Sequence, residues 1–223
     1  MKKDEEYTIQ DAFIREVDED LKNDQLKKLW DKYGVFAVIF VVAALSLAVS
    51  YESIKAWYIK RAENWSDAYA VALNLQTMGK YDESLEAFNT VIDEKFGAFA
   101  DLARMQRINV LLDAKQQDKA IEELKTLAFN QKFNPKLRDT ALIKLASYAM
   151  EEKTYDEMKE MLAPIADDAS NAWHSSALEI LALSAIKNND KETARSIYEQ
   201  ILQDHDISDG TKERASEILS VLQ

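Results

Sequence analysis

YGVFAVIFVVAALSLAVSY, residues 33–51, contains no charged side chain and separates 32 mostly polar residues from a long acidic remainder. As a helix it is roughly 27 Å long, close to the ~30 Å hydrocarbon thickness of a bilayer. Trp30 and Tyr33 stand at one end, and Tyr51, Trp57 and Tyr58 at the other. Trp30 and Trp57 are roughly 40 Å apart along a helix, one membrane interface to the other. Aromatic rings favour that depth because they offer an apolar body and a polar edge. The run therefore reads as one membrane span, with Trp30, Tyr33, Tyr51 and Trp57 as interface aromatics and Glu52 and Lys55 marking its exit.

Three other readings compete. A buried core helix is rarely charge-free for so long. A re-entrant segment needs breakers, and only Gly34 is present. A cleaved signal peptide finds some support in Ala48-Val49-Ser50, which resembles a small-residue cleavage site. However, the preceding segment is long and acidic, and the apolar run exceeds the usual length of roughly 7–15 residues. Lys22, Lys27, Lys28 and Lys32 precede the span, with Arg15 further back, while Lys55, Lys60 and Arg61 follow it. That bias predicts a cytoplasmic N-terminus and an exported C-terminal domain.

Charge is distributed unevenly. Residues 1–32 carry 7 Lys/Arg against 10 Asp/Glu, residues 33–61 carry 3 against 1, and residues 62–223 carry 18 against 29. An acidic domain disfavours nucleic acid, which needs a basic face. The chain has no cysteine, so disulfides and thiolate metal sites are excluded. Four glycines and two prolines leave few breakers and predict long helices joined by short links. No stretch alternates with period two for long enough to make a sheet.

Before the span, Ile9, Phe13, Val17 and Leu21, with Ile14 alongside, form the apolar stripe of an amphipathic helix that Thr8 would cap. Leu26, Leu29, Trp30 and Tyr33 lead into the membrane. The stripe is either a solvated juxtamembrane helix or a docking face.

After the span the chain repeats. Ser84, Ala120, Met158 and Ala194 are spaced 36, 38 and 36 residues apart. Four residues beyond each is a large apolar residue: Phe88, Leu124, Leu162 and Tyr198. Twelve residues before each are Ala72, Ile108, Ala146 and Ala182. Short polar turns (Gly79-Lys80, Lys115-Gln116-Gln117, Lys153-Thr154, Asn189-Asp190) divide each unit into two helices. The tetratricopeptide signature has a period of about 34 residues, with small residues where its two helices cross. Small side chains let the backbones approach, and the following large one fills the groove. The unit containing Gly79, Tyr81, Ser84, Leu85 and Phe88 matches it best.

The fold expected is all-α: a cytoplasmic tail at 1–32, a transmembrane helix at 33–53, a tetratricopeptide-repeat-like α-solenoid of about four helix pairs at 62–208, and a capping helix at 209–223. Its packing residues are Ala72, Ser84, Phe88, Ala120, Leu124, Ala146, Leu162, Ala182, Ala194 and Tyr198. Pro135 is expected to open a helix, and Pro164 to end or kink one near Leu162. In the last helix Ala215, Ile218, Leu219 and Leu222 share a face that would cover the final repeat.

No catalytic, cofactor or metal motif is legible. There are two histidines, His174 at the expected start of a repeat helix and His205 in a polar link, and neither sits in a ligand-like spacing. Asp167-Asp168 and Glu151-Glu152 read as acidic links. Trp65 and Trp173 are candidate partner-binding anchors, with repeat-core packing as the plainer alternative.

Several stretches taken together resemble the YfgM-like family of ancillary SecYEG translocon subunits, in its alphaproteobacterial form. They are FIREVDEDLKNDQLKKLWDKYG (13–34), FGAFADLARMQ (96–106), NPKLRDTALIKLA (134–146), the region of Trp173, and NNDKETARSIYEQILQD (188–204). The N-terminal segment is longer than in the enterobacterial members. The resemblance implies a periplasmic domain in the bacterial inner membrane, beside the Sec translocon. It would work there with a PpiD-like chaperone on exported clients, without cofactor or catalytic residues. A scaffold or assembly factor for another envelope complex, in outer-membrane or cytochrome maturation, is the alternative, since repeat folds serve many partners.

Overall fold

A computed structural model describes the backbone of residues 2–222 except 96, and side chains from residue 26 onward. Among the described residues there are nine helices and no strand: α1 Lys2–Thr77, α2 Tyr81–Asp93, α3 Gly97–Asp113, α4 Gln117–Phe129, α5 Pro135–Ala149, α6 Tyr155–Ala166, α7 His174–Lys187, α8 Lys191–Gln203 and α9 Asp209–Val221. The chain divides into two compact units, Met1–Glu63 and Asn64–Gln223.

In the first unit, α1 is already helical at Lys2, so Thr8 does not mark its start. The stripe Ile9, Phe13, Val17 and Leu21, with Ile14, lies outside the described side chains. Leu26–Thr77 contains a stretch long and apolar enough to cross a membrane, of mean hydropathy 2.4. Its large apolar side chains are exposed; Val35, Phe36 and Phe40 are about 70% accessible.

In the second unit, the end of α1 meets α2 through Ala72, Ser84 and Phe88, α3 pairs with α4, α5 with α6 and α7 with α8, and α9 packs on α8. The crossings form where the sequence places small residues. Ala72, Ala120, Ala146, Ala182 and Ala194 are wholly buried, and the buried Ser84 hydroxyl donates to the Ala72 carbonyl at 2.8 Å. Phe88, Leu124, Leu162 and Tyr198 fill the adjoining grooves and are also buried. In the third pair Met158 takes the small residue's place, fully buried opposite Ala146, because a flexible unbranched chain fits an irregular gap.

Three of the four turns are alike. Gly79, Lys115 and Asn189 take positive φ of 75°, 60° and 62°. Each donates to a carbonyl three residues back, and the next amide reaches five back: Gly79 to Gln76 and Lys80 to Leu75, Lys115 to Leu112 and Gln116 to Leu111, Asn189 to Ile186 and Asp190 to Ala185. These are Schellman closures, in which a left-handed residue lets the chain serve the helix's orphan carbonyls. The third turn differs. Glu152 and Lys153 both donate to Ala149. Lys187, from the end of α7, reaches the carbonyls of Met150 and Glu151. A cation from the next repeat thus replaces the left-handed residue, and Thr154 with Glu157 forms a reciprocal capping box that starts α6.

Pro135 occupies the first turn of α5, capped by Asn134, whose side chain accepts from the Lys136 amide. Pro164 departs from expectation: α6 continues past Leu162 to Ala166. Pro164 leaves the Glu160 carbonyl without its intrahelical donor, and the helix ends two residues later. The last helix begins at Asp209 under a Ser208 cap, with Gly210 inside its first turn. Ala215 and Leu222 are buried, and Ile218 and Leu219 half-buried, beneath it.

Two hydrophobic clusters hold this unit. The larger runs from α3 to α9. The smaller comprises Ala72, Phe88, Val91, Ala103 and Val110, and Leu85 borders both.

Candidate functional site

At one end of the apolar run Lys32 lies over the Tyr33 ring at 5.0 Å, and the Trp30 indole lies across Gly34, where an added Cβ would come within 3.1 Å of it. At the other, Arg61 lies over the Trp57 ring at 5.1 Å, and Trp57 meets Tyr58 edge-on at 5.1 Å. Cations stacked on rings keep their charge at the rim while the ring faces apolar surroundings. Ser46, Ser50 and Ser53 each donate to the carbonyl four residues back, so their hydroxyls are satisfied within the helix.

In the second unit, the first helices of successive pairs carry a chain of hydrogen bonds. Lys144 on α5 donates to the Asn109 carbonyl oxygen, and Asn109 donates to Gln106 at 2.9 Å. Gln106 donates to Gln76 at 2.7 Å, and Gln76 to the Asp113 carboxylate at 2.6 Å. Every amide accepts once and donates once, so the chain runs in one direction from ammonium to carboxylate across three helices. Aligned dipoles of this kind reinforce one another. Burial lowers the Lys144 pKa, and the nearby Asp113 charge opposes that shift. Further along, Asn171 donates to Asp139 at 2.9 Å, and Arg214 makes a two-pronged contact with Glu179.

A groove of about 620 Å³ lies between α4 and α6 over the C-terminal end of α5. Phe129, Leu145, Ala149, Met161 and Pro164 make its apolar lining, and Lys125, Lys153, Glu157 and Glu160 stand at its rim. Phe129 is 58% exposed although apolar. Lys153 is 3.5 Å from Glu157, and Lys125 and Glu160 have no ion-pair partner among the described residues. Nothing in composition or periodicity marked this groove, because it depends on the spacing between two outer helices.

Trp65 is half-buried against the smaller cluster and Trp173 against the larger. Each presents one part to solvent, and they belong to different repeats. His174 is buried at the start of α7, with Nδ1 3.4 Å from the Ile165 carbonyl and Nε2 3.7 Å from Asp204. It ties the ends of α6 and α8 to α7. His205 is exposed in the α8–α9 turn. Asp168 closes a local turn by accepting from the Ser170 amide and hydroxyl, which holds its carboxyl below the usual range. Among the described residues no group of three or more His, Cys, Asp or Glu is placed to hold a metal ion.

A chain of stacked helix pairs, closed by a final helix and carrying its polar side chains on a shared face, is a repeat scaffold. Residues 27–220 match the tetratricopeptide repeat-like domain, a match that takes in the apolar run as well as the pairs, and the chain belongs to that family. None of the curated proteins matches it. Domains of this type are protein-interaction scaffolds, so the partners are proteins.

Proposed function

We propose that the chain is a single-pass scaffold of the bacterial cell membrane. Residues 1–32 form its cytoplasmic tail and residues 33–53 its span. Residues 62–208 form a periplasmic repeat domain, closed by residues 209–223. It contacts Sec translocon subunits, a PpiD-like chaperone and newly exported clients.

The observation that carries this reading is the charge-free, exposed run at residues 33–51 at the head of a repeat domain. A long exposed apolar surface is costly in water and favourable in lipid. The ring-stacked cations at both ends suit two interfaces, and the excess of lysines before the run supports the direction. Translocon and chaperone rest on the sequence resemblance. Trp65 and Trp173 are the proposed anchors for partner segments, because each leaves part of a ring in solvent beside a packed cluster.

Photocrosslinking in living cells from positions 65 and 173, and from the N-terminal stripe, tests the assignment. Adducts with Sec subunits, the chaperone or clients are expected. Adducts dominated by an outer-membrane or cytochrome-maturation complex would move the scaffold to that assembly. A reporter joined after Gln223 tests direction, and cytoplasmic-type activity would reverse it.

A further inference from the structure

The groove between α4 and α6 is a second surface; its walls belong to α4 and α6, and it shares only the end of α5 with the hydrogen-bonded face of α1, α3 and α5. A smaller apolar groove of about 350 Å³ is lined by Ile186, Ile218, Val221 and Leu222, and Val221 is 80% exposed, but Glu217 is its one charged lining residue among the described residues and offers no self-complementary pair. In the α4–α6 groove Phe129 is a protruding ring on the wall, above an apolar floor.

The charges decide what fits. Lys153 and Glu157 already face each other at 3.5 Å. That leaves one unpaired cation, Lys125 on the α4 wall, and one unpaired anion, Glu160 on the α6 wall. A partner of a single charge sign would satisfy one wall and oppose the other. A two-fold axis along the groove lays the α4 wall of each copy on the α6 wall of the other. That operation pairs Lys125 with the other copy's Glu160 twice over and brings each Phe129 ring against the opposing groove. Self-complementarity of this kind is what a two-fold interface requires.

We propose that this groove is a homodimer interface, closed by Phe129 and by two reciprocal Lys125–Glu160 pairs. The walls are helices of 13 and 12 residues, so the patch is about 20 Å on a side. That is about 400 Å² per copy and about 800 Å² in all, below the standard size of specific interfaces, which makes the dimer a weak, reversible one.

Sedimentation equilibrium of the full chain in detergent micelles, from about 1 to 200 µM, measures the association. Circular dichroism of each variant checks that it is folded. Phe129→Glu and Lys125→Glu are each expected to weaken dimerisation at least tenfold. Lys125→Glu combined with Glu160→Lys is expected to restore it to within about threefold, because the swap re-forms both pairs with reversed sign. A wild-type chain that stays monomeric at 200 µM overturns the proposal. So does a dimer indifferent to Phe129→Glu, which would place self-association elsewhere, for instance along the apolar run. A double swap that fails to rescue folded protein overturns the charge pairing.

Discussion

Replacing Phe88 with alanine should open the first helix pair of the repeat domain while leaving the others closed. Phe88 is wholly buried and meets Tyr69 edge-on at 5.4 Å. Deleting a buried phenylalanine costs about 3–5 kcal/mol, of which an aromatic pair of this geometry accounts for about 0.5–1.5 kcal/mol. In a repeat array the loss is felt by the unit and its neighbour rather than by the whole. Here the boundary is visible, since the cluster around Phe88 is separate from the one running from α3 to α9 and Leu85 borders both. Local opening energies range from near zero to the global value, so a loss of about 4 kcal/mol brings the first pair close to open. Hydrogen exchange read by mass spectrometry should show fast amides in residues 64–93 and unchanged protection in α5 to α9. Leu162→Ala, inside the larger cluster, should instead loosen the middle of the array. A uniform loss of protection from α2 to α9 in Phe88→Ala, or no loss at all, would refute the division into two clusters.

Three further outcomes can be checked by chemical or thermal denaturation. Lys115→Gly relieves a side chain held at a φ of 60° and should stabilise by about 0.5 kcal/mol, the strain outweighing the added freedom of the unfolded chain; Gly79→Ala, at 75°, should cost about 1 kcal/mol. Tyr198→Phe should leave stability unchanged or raise it by about 1 kcal/mol, because the hydroxyl is buried and has no hydrogen-bond partner among the described residues. Burial pushes the Tyr198 pKa up to about 12, so its contribution is complete below 10 and lost as pH rises towards 12; the phenylalanine variant should lack that alkaline loss. The Glu157 carboxyl is held below its ordinary value by the Thr154 amide and hydroxyl, and Asp190 by the Thr193 hydroxyl and amide. Lowered values of this kind stabilise above the ordinary carboxyl range and are lost as pH falls through the folded value, so acid melting curves should flatten for Glu157→Gln and Asp190→Asn.

The crossings were legible because a helix crossing has a local signature, a small residue with a large apolar one four positions on. Ser84, Ala120 and Ala194, each followed four positions on by Phe88, Leu124 or Tyr198, are buried for that reason, and Ala72 and Ala182 lie buried twelve residues before Ser84 and Ala194. Gly79 and Asn189 announced their turns, since both tolerate the left-handed region. The turn at Lys115 is expected too, but not its left-handed backbone, because lysine takes that conformation only where the surrounding helices hold it. Of the end or kink expected near Leu162, the end does not occur: α6 continues through Pro164 and stops at Ala166, because a proline costs one hydrogen bond without forbidding the next turn. Nor could the lysine that closes the third turn be read in advance, since Lys187 acts 36 residues from the carbonyl of Glu151. The hydrogen-bonded chain from Lys144 to Asp113 also joins residues about a repeat apart, and amides carry no periodic signal. Surfaces built between helices are the part of a repeat protein that sequence patterns describe least.

That chain of amides sets terms for whatever rests on the face. Each of its amides still holds one N–H and one oxygen lone pair, so a visiting segment can bond to the chain without displacing an existing partner. Those free groups favour segments that bring polar side chains or backbone to the face. Because the two formal charges are joined through neutral amides, added salt should alter occupancy little.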